Sequence, residues 1–383
     1  MTPDKPGRPG KNIHAFWLFF PAAAILAALA VPLSIFAVLS GTGWPPGLIG
    51  AGHGHELIFG FALALIAGYT LGPQPRRVLL PLFALWLLAR ITWLLAPDSW
   101  AAQLPSPAFA LLLAYYVVPR FNAAKKWRNK IAGPLILTLC LMVPGFWLTG
   151  LAGPENLLPA PTLLLHSAVL GLLLLMTFMG GRIIAPAVAG TLEKKGIPLE
   201  ARVQPRIEGA LIVLLISAMG LAMSEVTNRF AGILLLASAL LIAVRILRWR
   251  VWHCPERPDL LVFATGYLWL AAGAGVSGLH LLSGAPATPA LHLITVGALG
   301  TLSASVMLRL AWQRASRRPP PGWQVITVAV LLGLSALGRY LAGPTPFASP
   351  FWLWLSAALW CTTYLGVAIQ LLALFRAAHK PRK

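Results

Sequence analysis

The chain carries eight histidines. Five of them, His53, His55, His166, His280 and His292, stand at the edges of long apolar runs. Imidazole is the commonest side-chain ligand for transition metals and holds haem iron in many proteins. A single histidine at such an edge is ordinarily an interfacial residue with its ring in water. Several at one depth point instead to a metal or haem site assembled between facing helices. The other three, His14, His253 and His379, lie among basic residues. His14 and His379 read as interfacial, and the His253–Cys254 pair in a basic loop carries no evident chemistry.

The spacing is informative. His55 and Gly60, His166 and Gly171, and His292 and Gly297 are each His-x4-Gly. A glycine at that offset lets a neighbouring helix approach closely below a layer of ligands. Within Gly52-His53-Gly54-His55-Glu56, residues two apart on a helix point about 200° apart. His53 and His55 would then face different ways, and His53 would share a face with Glu56. The flanking glycines could leave the helix start irregular and let both imidazoles converge. Glu56 could orient a ligand imidazole, relay protons as intramembrane acids do, or simply complement a helix N-terminus.

The elements that hold these residues follow from composition. Of 383 residues, 58% are hydrophobic and 10% are charged, against roughly 25% charged in a soluble domain. This excludes an ordinary soluble enzyme and a disordered chain. The apolar runs are continuous, which excludes an outer-membrane barrel. A membrane span needs about 20 apolar residues. Twelve runs qualify: 14–40, 53–72, 78–96, 104–119, 131–151, 161–181, 208–224, 230–247, 260–282, 289–310, 323–343 and 350–375. The fold class is all-α: a polytopic membrane bundle forming one transmembrane domain over 1–383. The first run is long and lacks a small-residue cleavage site, so it reads as a retained span. The fourth is interrupted by Pro105 and Pro107. The Gly180-Gly181-Arg182 to Pro186 stretch reads as the end of the sixth.

Charge placement tests that count. The net charge is +20. With twelve spans, 27 of the 30 lysines and arginines fall in the termini and even-to-odd loops. By the positive-inside rule both termini are cytoplasmic. The basicity is therefore a topology signal with some attraction to anionic lipid, not a nucleic-acid surface. Arg90, Arg229 and Arg339 are the exceptions, and Arg90 and Arg339 lie within spans three and eleven. Such cations either pair and function or snorkel to the interface. In this topology His53, His55, His166, His280 and His292 all sit at the outer ends of their spans. The His-x4-Gly spans are the second, sixth and tenth, so the chain divides into three four-span units. The scattered cysteines, Cys140, Cys254 and Cys361, form no metal or disulfide pattern. Trp44, Trp100, Tyr115, Tyr116, Trp352 and Trp354 suit interface belts.

Three stretches resemble the NnrS family, bacterial inner-membrane proteins linked to nitric oxide metabolism and nitrosative stress. His53-Gly54-His55-Glu56-Leu57-Ile58-Phe59-Gly60-Phe61 is similar to its His-x-His-Glu-x-x-Phe-Gly-aromatic motif. Gly181-Arg182-Ile183-Ile184-Ala185-Pro186 is similar to its Gly-Arg-Val-Ile-Pro segment, with one extra residue. His292-Leu293-Ile294-Thr295-Val296-Gly297-Ala298-Leu299-Gly300 is similar to its His-Ala-Leu-Thr-Val-Gly-Ala-x-Gly motif. Tyr267-Leu268-Trp269 fits a further position. The resemblance implies haem b and copper as cofactors, and nitric oxide or iron-nitrosyl species as what the protein binds or processes. It also implies a bacterial inner membrane as location; the sequence does not say whether an electron donor serves the protein or which one. Carried over by position, His53, His55, Glu56 and His292 match motif residues, and His166 lies in the matching helix. The assignment this favours is haem between His292 and either His53 or His55, with copper or a second metal on His166 and the remaining span-two histidine.

The chain departs from the family in two places. Trp312-Gln313-Arg314-Ala315-Ser316-Arg317 stands where a Gly-His-Thr-Gly-Arg segment is usual, and Ala264-Thr265 where many members carry a histidine. Haem–copper oxidases share the twelve-helix, three-arc architecture, but here span seven carries no histidine and span ten carries one. Two other readings stand beside the redox one. A twelve-span repeat protein also suits a transporter of copper, haem or a small nitrogenous molecule, although the polar residues crowd one end of the bundle. A subunit without cofactor would be indifferent to loss of its histidines.

Overall fold

The computed structural model describes residues 12–123, 130–151, 158–345 and 348–379. The terminal and loop cations at Lys5, Arg8, Lys11, Lys125, Lys126, Arg128, Lys380, Arg382 and Lys383 lie outside the described residues. Among the described residues twelve helices are long and apolar enough to cross a membrane: α1 Phe16–Leu39, α2 Ala51–Thr70, α3 Arg76–Leu95, α4 Trp100–Asn122, α5 Ala132–Gly150, α6 Pro161–Glu193, α7 Glu200–Leu221, α8 Asn228–His253, α9 Pro258–Ser283, α10 Thr288–Ser316, α11 Gly322–Leu341 and α12 Pro350–Ala378. Each expected span has its helix. Pro105 and Pro107 do not break α4, because they fall in the first turn of its main segment Pro105–Asn122. Main-chain donors there have no intrahelical partner in any case.

Three helices form the centre. In α2, α6 and α10, 67%, 78% and 78% of the apolar window is buried, against 28–56% in the other nine. These are the three His-x4-Gly helices. The packing pairs repeat every four helices: α12 with α1, α4 with α5, and α8 with α9; then α3 with α4, α7 with α8, and α11 with α12. Each central helix also packs on the helix before it. Trp17 of α1 touches Phe375 of α12 with ring centroids 5.5 Å apart, so both termini share one end of the bundle. We call it the basic end and the opposite one the histidine end. At the basic end β1 (Ile13–His14) pairs antiparallel with β2 (Pro73–Gln74).

Two features depart from the sequence reading. First, α6 does not stop at Gly180-Gly181; it runs through Pro186 to Glu193. The glycines are packing notches. A Cβ at Gly180 would lie 2.9 Å from the Tyr267 ring, and Gly181 faces the Arg245 guanidinium. Pro186 removes one main-chain donor, which membrane helices tolerate. Second, α2 and α10 are not uniform α-helices. Each begins as a short α-helical segment ending at a histidine, Ala51–His55 and Thr288–His292. Each then widens into a π-helical stretch, Glu56–Ala62 and Leu293–Gly300. Such turns cluster at functional sites.

The glycines of the repeated spacing do admit neighbours. A Cβ at Gly60 would stand 2.6 Å from Arg90 Nη1 of α3. At Gly171 it would be 2.9 Å from Leu139 of α5, and at Gly297 2.8 Å from the Trp269 indole of α9. Each central helix is thus entered at its glycine by a side chain from the surrounding ring.

Candidate cofactor cavity

A cavity of about 460 Å³ opens between the central helices at the histidine end. Its size is that of a small-molecule or cofactor site. His53 from α2, His166 from α6 and His292 from α10 line it, together with Arg339 of α11. The remaining wall is mainly aliphatic, with Trp360 of α12 below. The three central helices therefore bring one imidazole each to one space.

The imidazoles are set for ligation to different degrees. His292 Nδ1 donates to the Thr288 carbonyl one turn earlier, at 2.7 Å. That contact fixes the tautomer and leaves the Nε2 lone pair free, the usual arrangement of a metal-binding histidine. His53 Nδ1 is buried and has no hydrogen-bond partner. Orphaned buried polar atoms are rare, and a bound group is one way of resolving them. Among the described residues no three His, Cys, Asp or Glu side chains come close enough to grip one metal ion. The three rings are spread around the cavity rather than gathered at a point.

His55 and Glu56 do not join them. They face away, into a packed polar cluster between α2, α3 and α4. His55 Nδ1 donates to Glu56 Oε1 at 3.0 Å, because a carboxylate can only accept. Arg90 Nη1 donates to the same oxygen at 2.7 Å, and Arg90 Nη2 donates to Ser106 Oγ. The His55 ring stacks on Trp93 with centroids 3.8 Å apart and planes 17° from parallel. His55 and Glu56 are 2% and 1% exposed, and Arg90 is 5% exposed. The divergence of His53 from His55 follows the two-residue helical offset. His53 and Glu56 do not act together as expected: Glu56 turns to His55 and Arg90, while His53 lines the cavity.

The remaining predicted residues are placed elsewhere. His280 spans α9 to the next loop and to α11, with Nδ1 2.8 Å from the Pro286 carbonyl and Nε2 3.3 Å from Tyr340 Oη. It belongs to the histidine end but does not line the cavity. His379 packs against Phe375 and Trp17 at the basic end. Arg90 does not snorkel; it is buried and paired.

Sequence reading missed a second buried ion pair. Arg245, counted among loop cations, lies inside α8 and is 2% exposed. It donates to Glu208 of α7, to the Thr177 carbonyl of α6 at 3.1 Å and to Tyr267 Oη of α9 at 3.1 Å. The available signal was the pairing of a Gly-Gly notch with a cation in an apolar run. A second cavity, about 130 Å³ and almost wholly apolar, lies towards the basic end between the same central helices. Leu299 of α10 lines both cavities and stands between them.

Comparison with known proteins agrees with the motifs. No curated protein matches the chain. The family model described as NnrS protein matches residues 13–378, nearly the whole chain, including α2, α6 and α10 with their histidines. The chain is a multi-pass helical membrane protein and belongs to the NnrS family.

Proposed function

We propose that the protein holds haem b in the three-histidine cavity and uses it to bind or process nitric oxide or its iron adducts, as the family resemblance implies. The observation that carries this reading is the convergence of His53, His166 and His292, one from each central helix, on a single cavity. The donor set suits the group. His292 presents a free Nε2, His53 brings an unpartnered buried nitrogen, and Arg339 supplies a cation at the rim. Imidazoles spread around a volume suit ligands to a bulky planar cofactor better than ligands to a bare ion.

His53 and His292, from two of the three central helices, are the residues we assign as those that would hold haem iron. Haem ligated by two histidines supplies electron transfer, and haem with one position open supplies capture of a small ligand. His166, the third ring, faces the same space and would stand beside whichever molecule reaches it. The mainly aliphatic wall lowers the dielectric around the imidazoles, and each polar contact is stronger in such a setting. Copper rests on the resemblance alone. The expected pair of His166 with a span-two histidine other than the haem ligand is divided, because His55 faces the Arg90 cluster. We derive no step through copper. A bacterial inner membrane, with the termini cytoplasmic, is the location that the charge distribution and the resemblance favour.

The test is an oxidised-minus-reduced visible spectrum of the detergent-purified protein, with iron and copper analysis on the same sample. A sharp reduced α-band with about one iron per chain is the expected result. No haem after expression with haem and copper supplied would overturn the reading in favour of transport.

A further inference from the structure

Three arginines inside the helices of this bundle pair with carboxylates. Arg90 pairs with Glu56 at 2.7 Å, Arg245 with Glu208, and Arg309 with Asp259 at 3.3 Å. The reason is energetic. A guanidinium in an apolar interior keeps its charge at all accessible pH, and an uncompensated buried charge is strongly destabilising.

Arg339 differs from these three. It lines the histidine cavity from α11. Its one hydrogen bond among the described residues runs from Nη1 to the Gly343 carbonyl, 2.9 Å away in the following loop. It makes no ion pair among the described residues. The rest of the guanidinium's planar fork has no protein acceptor there. A fork of this kind matches a carboxylate with two parallel hydrogen bonds. The cavity thus joins neutral imidazoles and an aliphatic wall to one cation without a counter-charge.

We propose that Arg339 is the carboxylate-recognition residue of the cavity, so that the ligand held there is an anionic, carboxylate-bearing group and supplies the counter-charge that Glu56, Glu208 and Asp259 supply elsewhere. This rests on the proposed cofactor reading and sharpens it. For a porphyrin, the histidines take the metal and Arg339 takes the acid side chains. The cavity selects on both features independently.

The experiment measures binding of three probes to full-length protein in detergent: haem, haem dimethyl ester and iron-free protoporphyrin. The ester keeps the iron and loses the carboxylates; protoporphyrin does the reverse. Wild type should prefer haem to its ester on the order of tenfold or more, the value of one charge-assisted contact. Arg339→Leu should erase that preference by weakening haem alone, and Arg339→Lys should keep part of it. Protoporphyrin binding should fall in Arg339→Leu and be unaffected by His53→Ala or His292→Ala. A thermal melt of each variant shows that it is folded. The inference is overturned if haem binds and the haem-to-ester ratio is the same in wild type and Arg339→Leu. It is equally overturned if no porphyrin binds. The cofactor reading alone fails if protoporphyrin binding depends on Arg339 while haem binding ignores both histidines.

Discussion

His53 and His55 are two residues apart at one depth of one helix, yet they live in opposite circumstances. His55 is held on every side: stacked on Trp93, hydrogen-bonded to Glu56, and flanked by Phe146 with ring centroids 5.1 Å apart. His53 faces a cavity and keeps a buried nitrogen without a partner. The difference teaches that residue type and depth do not fix a histidine's surroundings; the packing on each face of the helix does. The packed face ties α2 to the surrounding ring through Arg90 and Ser106, and the other face opens on the cavity. Both depend on the same turn of helix, so the packed face sets the angle at which the open face presents its ring.

The sharpest break of that comparison is in the cofactor signal. His53→Ala and His292→Ala should each abolish the haem absorbance, whereas His55→Ala should retain it. The reverse pattern, read in difference spectra of equal amounts of folded protein, would exchange the roles of the two faces. Next in size is the ion pair beneath His55. Arg90→Leu leaves Glu56 a buried acid with the His55 contact but no cationic partner and should cost about 3–5 kcal/mol. The double replacement Arg90→Leu with Glu56→Leu should recover much of that loss in thermal melts. An unrecovered double variant would mean that the pair does more than neutralise itself. Smaller effects are expected at the glycine notches. Gly60→Ala and Gly297→Ala place a Cβ against Arg90 and Trp269 and should each cost about 1–3 kcal/mol by overpacking. A neutral melt for either would show that the ring helix gives way. The smallest effect belongs to His379→Ala, an exposed residue at the opposite end. It should leave haem untouched and shift stability by about 0.5 kcal/mol or less.

The large-scale architecture was legible because a bilayer demands long apolar helices whatever their neighbours. Twelve runs and alternating loop charge defined it before any contact was known. The glycine notches were legible for a similar reason, since a small residue one turn or so below a histidine has few uses other than close approach. The identity of the inward-facing histidine was not. The His-x4-Gly spacing aligns His55 with His166 and His292, while the cavity takes His53, and only the packing of Trp93 and Arg90 decides between them. The end of α6 was misread because Gly-Gly followed by Pro signals termination in isolation. In the bundle, Tyr267 and Arg245 fill the space the glycines leave. Arg339 illustrates the same limit, since the sequence alone could not show that it makes no ion pair among the described residues.

The π turns in α2 and α10 have a further consequence in terms of phase. A π turn holds one residue more than an α turn, so each of these helices is two α-helical pieces joined with an angular offset of about 100°, one residue's worth of rotation. Removing a single residue from Leu57–Ala62 would restore even pitch and swing the basic-end half of α2 against the histidine-end half. Either the imidazoles or the inner packing surface would then turn the wrong way. Helix α6 is α-helical throughout Pro161–Glu193 and has no such offset. The three central helices share a spacing in sequence but are not interchangeable parts: two are tuned by an inserted step, and the third is a straight-pitched reference against which they are set.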